Sequence, residues 1–211
     1  MIPWTEHLNK NRIINDSQSG FVEKSNTETA LIHLLSNVYS SIDTKLYTAV
    51  VFIDIAKAFD CVDHSIFIDL CREIQLPEKY IKIMTSYFCN RVQCVEVDGV
   101  RSPMLKVNSG VFQGSIFGPK AFIFYINKIF QLDLKGKIQL FADDTCIAYG
   151  EKSLDDLKAA IESDLVLIRS FFFTLKLDLN AEKTKYVLFY GRKRFQSFTE
   201  RDLRIDRKST L

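Results

Sequence analysis

Two apolar segments of the chain are continuous enough to be buried strands, and each carries acidic residues at one end. Residues 49–53 have the sequence Ala-Val-Val-Phe-Ile, which predicts a strand buried on both faces and ended by Asp54. Residues 139–148 place Asp143 and Asp144 between two further strand-forming stretches. This pattern predicts a hairpin with charge at its tip, beside a strand that also ends in a carboxylate.

Helical spacing of apolar residues appears in four other stretches, and polar residues or proline mark where the helices begin. The expected helices cover about residues 27–42, 66–74 and 119–130, with a longer one after residue 153. Their expected starts are Thr27, Asp63 or Ser65, Pro119 in a first turn, and a capping box of Ser153 with Asp156. The stripes expected to face the core are Leu31, Leu34, Leu35 and Val38; Ile66, Leu70 and Ile74; and Leu157, Ile161, Leu165 and Ile168.

Two further segments are typical of strands. Asp98-Gly99 is a dipeptide that favours a two-residue turn, and it separates residues 93–97 from 100–106, which predicts a second hairpin. Residues 184–190 predict another strand. Strands and helices are therefore mixed along the chain, without an internal repeat or a Gly/Ser linker.

Length and composition fit one globular unit, since 211 residues with 47% apolar content can bury a core. No apolar run approaches the roughly 20 residues needed to cross a bilayer, and the N-terminus lacks a signal-peptide pattern. We therefore expect no membrane partner and an intracellular location, in the cytoplasm or the nucleus. The five cysteines include no Cys-x-x-Cys, so we expect reduced thiols and no disulfide partner.

The overall charge of +2 hides a division along the chain. Residues 191–211 contain seven Lys or Arg and three Asp or Glu, a net charge of +4, so residues 1–190 hold 21 basic and 23 acidic residues, a net charge of −2. Phosphate binding normally draws on many basic side chains, so the bulk charge of residues 1–190 does not supply it. The basic C-terminal tail, residues 191–211, either contacts nucleic acid or is a solvated end.

The adjacent carboxylates of Asp143 and Asp144 need a compensating partner if the hairpin is buried, because unpaired like charges there are costly. A divalent cation is one such partner, and Asp54 on a neighbouring strand would be a third ligand. Acidic side chains that hold two metal ions about 3.5–4 Å apart are typical of phosphoryl and nucleotidyl transfer. The alternative is a plain tight turn, where Asp is favoured because it tolerates a left-handed backbone.

Four segments occur in a fixed order: Phe-Ile-Asp-Ile-Ala-Lys-Ala-Phe-Asp at 52–60, Ser-Gly-Val-Phe-Gln-Gly-Ser-Ile-Phe-Gly-Pro at 109–119, Phe-Ala-Asp-Asp at 141–144 and Leu-Asp-Leu-Asn-Ala-Glu-Lys-Thr at 177–184. They resemble the successive palm motifs of reverse transcriptases, closest to those of non-LTR (LINE-type, jockey-like) retrotransposons. Gln-Ser-Gly-Phe at 18–21, followed by Thr-Glu-Thr-Ala at 27–30, is similar to the boundary between fingers and palm in that family. The resemblance covers about residues 12–190.

The resemblance implies an α+β fold, a reverse-transcriptase palm made of a small antiparallel sheet backed by helices. Partial fingers would occupy residues 1–40, the palm residues 41–190, and the basic tail residues 191–211. The implied activity is that of an RNA-directed DNA polymerase, which extends a DNA primer on an RNA template from deoxynucleoside triphosphates with two Mg²⁺ ions, or Mn²⁺ in their place. Asp54 and Asp143 would be the principal metal ligands, and Asp144 a further acidic group at the same turn.

Four other residues receive roles from the resemblance, and each also has a structural explanation. Phe59 lies where similar enzymes place an aromatic ring against the sugar 2′-hydroxyl, but it could be an ordinary core aromatic. Gln113 and Gly114 would contact the incoming nucleotide, and they also suit a junction between a loop and a helix. Lys183 could neutralise or protonate the departing pyrophosphate, or be a surface lysine in a turn.

Asp60, Asp63 and His64 form a cluster that could be taken for a metal or acid–base site. The structural explanation is preferred, because Asp63 or Ser65 makes a reasonable helix cap. The three histidines of the chain are too dispersed for a metal triad.

The chain also departs from the family pattern. Val22 stands where the family usually has arginine, Phe112 where it has proline, and Phe117 where it has leucine. Most of the fingers, which hold the triphosphate, and most of the thumb are expected to be absent, and loss of positioning removes orders of magnitude from such a reaction. The alternative function is therefore a catalytically inactive, truncated retrotransposon relic that binds nucleic acid weakly at most.

Overall fold

The computed structural model describes residues 3–112 and 114–189, so Gln113, Tyr190 and the basic tail lie outside the described residues. In chain order, the described elements are α1 (Pro3–Lys10), α2 (Thr27–Asp43), β1 (Tyr47–Ile53), a 3₁₀ turn (Ala58–Asp60), α3 (His64–Glu73), α4 (Glu78–Phe88), β2 (Val92–Gln93), β3 (Glu96–Val97), β4 (Val100–Arg101), β5 (Leu105–Lys106), α5 (Phe117–Ile126), a second 3₁₀ turn (Asn127–Gln131), β6 (Lys137–Phe141), β7 (Asp144–Glu151), α6 (Leu154–Thr174) and β8 (Lys185–Phe189). The helices and strands expected from the pattern are present, with some ends shifted by a few residues.

Four of the strands form an antiparallel sheet in the order β6-β7-β1-β8. The register sets Ile53 opposite Thr145, and Phe141 opposite Asp144. The end of β1 therefore lies beside the turn between β6 and β7. This is the small antiparallel sheet backed by helices that the sequence predicts.

One face of the sheet packs on the main core. Ala49, Val51 and Ile53 alternate along β1 and belong to the same buried cluster as the inner face of α6. The four residues predicted to face inward on α6 are all buried: Leu157, Ile161, Leu165 and Ile168. Trp4 and Leu8 of α1 belong to this cluster too, so the N-terminal helix is packed on the same core.

Helix α2 covers the other face of the sheet only in part, which corrects the buried stripe predicted for it. Val38 is buried against Val50, but Leu34 and Leu35 are half-buried and Leu31 is 54% exposed. The reason is that a cleft separates the N-terminal half of α2 from the sheet.

Strand β1 is buried on both faces as predicted, except near this cleft. Phe52 is 40% exposed, whereas the preceding residues of the strand from Thr48 to Val51 are buried. Phe52 shares the face of Val50 because side chains alternate along a strand, so it lines the cleft instead of the core.

Local capping sets where the two long helices begin. Helix α2 is capped by Asn26 and not by Thr27: the Asn26 side chain accepts a hydrogen bond from the Thr29 amide, and the Thr29 hydroxyl accepts one from the Asn26 amide. Helix α6 is capped by Ser153, whose hydroxyl accepts from the Asp156 amide at 3.0 Å, as predicted.

The second predicted hairpin is present as two short ladders. Strand β3 pairs with β4 around the turn at Asp98 and Gly99, both with left-handed backbones (φ 50° and 80°). Strands β2 and β5 pair farther from the turn. All five cysteines lie within the described residues and are free thiols. In that same part of the chain, no helix has the length and apolar content to cross a membrane.

Candidate active site

The turn between β6 and β7 carries the paired carboxylates, as the sequence predicts. Ala142 and Asp143 form the turn and Asp144 is the first residue of β7. Ala142 has a left-handed backbone with φ 58°, which is strained for a residue with a side chain. Asp143 is half-buried and Asp144 is exposed, so both carboxyl groups are within reach of a ligand.

Asp54 follows directly after β1, and the segment that carries Lys183 is fixed to it. The Asn180 amide donates to the Asp54 carbonyl at 2.8 Å, and the Ala56 amide donates to the Asp178 carbonyl at 2.8 Å. The turn that follows brings Lys183 Nζ to 3.9 Å from Asp54 Oδ2. Two segments separated by more than a hundred residues thus place a carboxylate and an ammonium group side by side.

The three carboxylates influence one another through space. Desolvation is the largest cause that raises the pKa of Asp144, and the negative charges of Asp143 and Asp54 raise it further. Such crowding of like charges stabilises a bound cation, since the cation removes the repulsion that the empty site carries.

A cleft with a volume of about 470 Å³ begins at Asp54 and Asp144 and runs between α2 and the sheet. One end is lined by Asp54, Asp144 and Lys183, and the remainder is mostly apolar, with Leu31 and Phe52 among its walls. The arrangement sets charged groups at the mouth of a concave surface of predominantly apolar character, a common form of ligand site.

The donor set fits a hard divalent cation, although the ligand shell is incomplete. Carboxylate oxygens from Asp54, Asp143 and Asp144 are what Mg²⁺ and Mn²⁺ bind, and Mg²⁺ usually takes only one or two carboxylates together with water and substrate phosphates. Within residues 3–112 and 114–189, no group of three or more His, Cys, Asp or Glu is close enough to form a metal cage.

Phe59 lies in the 3₁₀ turn that follows Asp54. The segments 52–60 and 109–119 meet at this residue. Its ring packs against Phe122 with centroids 4.6 Å apart and faces Phe21 edge-on at 6.4 Å. Its carbonyl accepts a hydrogen bond from the Val111 amide at 2.8 Å. The side chain is half-buried, so it is held by the core and retains an accessible edge.

The segment after Val111 is placed beside Phe59, but only part of its predicted site can be described. Gln113 lies outside the described residues. Gly114 has a left-handed backbone (φ 79°), and no atom lies within 4 Å of where a Cβ would be. Its backbone is therefore open to close approach by a ligand, while its conformation disfavours other residues.

In the cluster of Asp60, Asp63 and His64, the predicted helix cap is confirmed at Asp63. Asp63 caps α3 by accepting from the amides of the next residues, and its second oxygen pairs with Lys176 Nζ at 2.6 Å. His64 Nε2 lies 2.8 Å from the Gly110 carbonyl, and its ring stacks on Phe88. Asp60 is exposed.

Gln18 also lies at the site, although the sequence alone indicates no role for it there. The side chain of Gln18 is 1% exposed, and its amide contacts Ala142 at the carboxylate turn: Oε1 accepts from Ala142 N at 3.0 Å and Nε2 donates to Ala142 O at 3.3 Å. Gln18 is the first residue of the Gln-Ser-Gly-Phe segment, and this was the signal in the sequence that could have indicated it. Nothing in the sequence shows that it contacts a residue 124 positions away.

Comparisons with known proteins agree with this geometry. The family described as reverse transcriptase (RNA-dependent DNA polymerase) matches residues 4–206. The chain is 28% identical over 186 residues to a probable RNA-directed DNA polymerase from transposon X-element and 26% identical over 184 residues to the RNA-directed DNA polymerase from mobile element jockey, both of Drosophila melanogaster. These matches cover 86% and 83% of this chain, which spans about a fifth (20%) of the length of each relative.

Solved structures support the fold. The chain is similar to telomerase from Candida tropicalis in complex with a TWJ fragment of telomeric RNA, with a TM-score of 0.64 and 13% identity over 87% of this chain and 32% of that one. An apo form truncated from its C-terminal domain gives a TM-score of 0.63 and 14% identity, covering 89% of this chain and 39% of that one. At this identity the likeness concerns architecture alone.

Proposed function

The chain belongs to the reverse transcriptase family, and from that membership we propose that it is the palm region of an RNA-directed DNA polymerase from a non-LTR retrotransposon. The observation that carries the proposal is the juxtaposition of Asp54, at the end of β1, with the turn of Asp143 and Asp144, at the mouth of a cleft. The proposed substrates are an RNA template, a DNA primer and deoxynucleoside triphosphates, and the proposed location is inside the cell.

Asp54, Asp143 and Asp144 would hold the metal, proposed to be two Mg²⁺ ions or Mn²⁺ in their place. The bound metal supplies charge stabilisation at the reacting phosphate and a more acidic primer hydroxyl. The chain itself would orient the carboxylates and hold their negative charges close together. It would also position the primer end and the triphosphate beside each other at the metal site.

The other proposed roles follow from position around this centre. Lys183, which projects toward Asp54, would donate a proton or positive charge to the departing pyrophosphate. Phe59, with its ring fixed by Phe122, would sit against the sugar and disfavour a 2′-hydroxyl. Gln113 and Gly114 would contact the incoming nucleotide, a role that the open backbone of Gly114 supports.

Primer extension by the purified 211-residue chain tests the proposal, with a DNA primer on an RNA template, deoxynucleotides and Mg²⁺. We expect templated extension that the Asp143→Ala/Asp144→Ala variant reduces by about a thousandfold or more, because transition-state charge stabilisation is lost. Asp133→Ala/Asp155→Ala is the matched control, since it removes two carboxylates from exposed positions and should retain activity.

Thermal unfolding must show that all three proteins are folded. Absence of extension by the folded parent chain would overturn the proposed activity. The chain would then be the alternative, an inactive relic whose nucleic-acid binding can be measured separately. Equal loss in both double variants would contradict the assignment of the site.

A further inference from the structure

The side chain of Gln18 makes three hydrogen bonds in a buried position that no catalytic role explains. Its Oε1 accepts from the amides of Gly20 at 2.8 Å and Ala142 at 3.0 Å, and its Nε2 donates to the Ala142 carbonyl at 3.3 Å. A buried amide side chain must find such partners, and these three hydrogen bonds use both its oxygen and its nitrogen.

Both backbone polar groups of Ala142 are therefore held by one side chain. Ala142 is the residue with φ 58°, and it directly precedes Asp143. A left-handed alanine persists only where its surroundings fix it, and here Gln18 supplies the two bonds that do so. The direction in which the chain enters Asp143 depends on this conformation.

The segment around Gln18 is itself fastened to the neighbouring strand. The Leu140 amide donates to the Ser17 carbonyl at 2.9 Å, and the Ser19 amide donates to the Leu140 carbonyl at 2.8 Å. Residues 17–19 thus continue the sheet beyond β6 in a parallel direction. Because the backbone of residues 17–19 is fixed in this way, the side-chain amide of Gln18 is held against the turn.

Gly20 makes this approach possible. A Cβ at this position would lie 2.1 Å from the Ala142 nitrogen and 2.8 Å from the Ala142 Cα. Both are backbone atoms, so making room for a Cβ would displace the turn between β6 and β7. Its φ is not in the left-handed region, so its need for glycine comes from space alone.

We propose that Gln18 is a positioning residue for the candidate active site: its amide clamps Ala142 and thereby fixes the direction of the Asp143 carboxylate. The expected effect of Gln18 on catalysis rests on the proposed function. Its effect on the conformation of the turn does not depend on that function. Side chains that orient metal-binding groups affect metal affinity and turnover without touching the substrate.

Gln18→Met tests the clamp, because methionine has a similar length and no amide. The matched control is Asn127→Leu, which removes another amide that holds the N-terminal segment, through Ile13 O at 2.7 Å and Asn15 N at 2.9 Å, without contact to the turn. Three readouts on the full chain are amide hydrogen exchange at Asp143 and Asp144 by NMR, Mn²⁺ binding by calorimetry, and kcat and KM for a deoxynucleotide.

For Gln18→Met we expect exchange at Asp143 and Asp144 to rise about tenfold, since the turn opens more often. Mn²⁺ affinity and kcat should each fall about tenfold, with KM for the deoxynucleotide within about twofold of the parent value. Asn127→Leu should lower the unfolding temperature and leave exchange at the turn and Mn²⁺ affinity unchanged.

Unchanged exchange at the turn in Gln18→Met, or an equal rise in Asn127→Leu, would overturn the clamp. If Gln18→Met does not fold, Gln18→Glu retains the two acceptor contacts and loses the donor to Ala142 O, and it should give a smaller rise in exchange. A parent chain that neither binds Mn²⁺ nor extends a primer would defeat the proposed function, and the exchange measurement would still decide whether Gln18 holds the turn.

Discussion

At neutral pH and with no cation bound, we expect the Asp144 carboxylate to destabilise the fold. Burial, then Asp143 and Asp54, raises its pKa above the ordinary value near 3.8, so the folded state holds this proton more tightly than the unfolded state. Its contribution to stability is therefore greatest below pH 3.8 and declines as pH rises through the folded-state pKa.

Asp144→Asn should accordingly raise the unfolding temperature at pH 7 in EDTA by roughly 1–2 °C. The gain is small because Asp144 is an exposed residue whose carboxyl group is only partly desolvated. The gain should shrink as pH is lowered toward 3.8, and added Mg²⁺ should stabilise the parent more than the variant. Thermal unfolding from pH 4 to 7 measures this. Asp133→Asn at an exposed position is the control, and a gain independent of pH would contradict the stated cause.

At the scale of single residues, the sequence reveals charges better than it reveals neutral contacts. Asp54 and Asp143 could be picked out because carboxylates interrupt apolar strand patterns. The structure places Asp54 at the cleft and Asp143 in the adjoining turn, next to Asp144, which also lines the cleft. Gln18 could not, because a glutamine in a polar loop has no pattern to break and its partner Ala142 is distant in sequence. The roles of Gln113 and Lys183 stay predictions.

Among the helices, α6 is tied to the hairpin of β6 and β7 by a buried carboxyl group. Asp164 is fully buried, and its two carboxylate oxygens accept from the amides of Lys135 at 3.1 Å and Gly136 at 2.9 Å, just before β6 begins. Helix α6 therefore fixes the start of the strand that leads to Asp143, and this link is absent from the hydrophobic pattern.

Asp164→Ala should destabilise the fold by about 2–3 kcal/mol, because two buried amides lose their acceptors. For a chain of this size the unfolding temperature should fall by about 5–10 °C. Glu162→Ala is the matched control on the same helix: its exposed pairing with Lys158, at 3.9 Å, should be worth less than about 0.5 kcal/mol. Similar losses in the two variants in a thermal melt would refute the structural role given to Asp164.

Local chemistry indicated the boundary of α6 better than that of α2, and the apolar pattern predicted burial for α6 but not for the N-terminal half of α2. Ser153 could be identified as a cap because its partner lies three residues away, and the α6 stripe was right because that helix packs fully on the sheet. The α2 stripe was wrong at Leu31 because the degree of cover depends on how the helix sits over the opposite sheet face, which periodicity does not encode. Apolar residues line both the cleft and the core, so periodicity alone does not distinguish a cleft wall from a core wall.

Across the whole molecule, charge is distributed against the proposed nucleic-acid function. Residues 1–190 carry a net charge of −2, and the crowded carboxylates at the cleft add local repulsion toward phosphates. Template and primer binding then needs positive charge from elsewhere in the chain, and the run of Arg192, Lys193 and Arg194 is the densest source in the sequence.

Replacing Arg192, Lys193 and Arg194 with glutamine should therefore weaken binding of single-stranded RNA and reduce the slope of log affinity against log salt by roughly 2, at about 0.7 per phosphate contact. The measurement is fluorescence anisotropy of a labelled RNA at several salt concentrations. The control replaces the exposed Lys10, Lys82 and Lys152, which removes the same charge from three separate places in the chain. The tail variant loses charges that are expected to contact RNA phosphates, whereas the control loses only net charge. The salt slope should therefore change little in the control. Equal slopes in both variants would mean that the basic tail is a solvated end and that RNA affinity comes from contacts within residues 1–190.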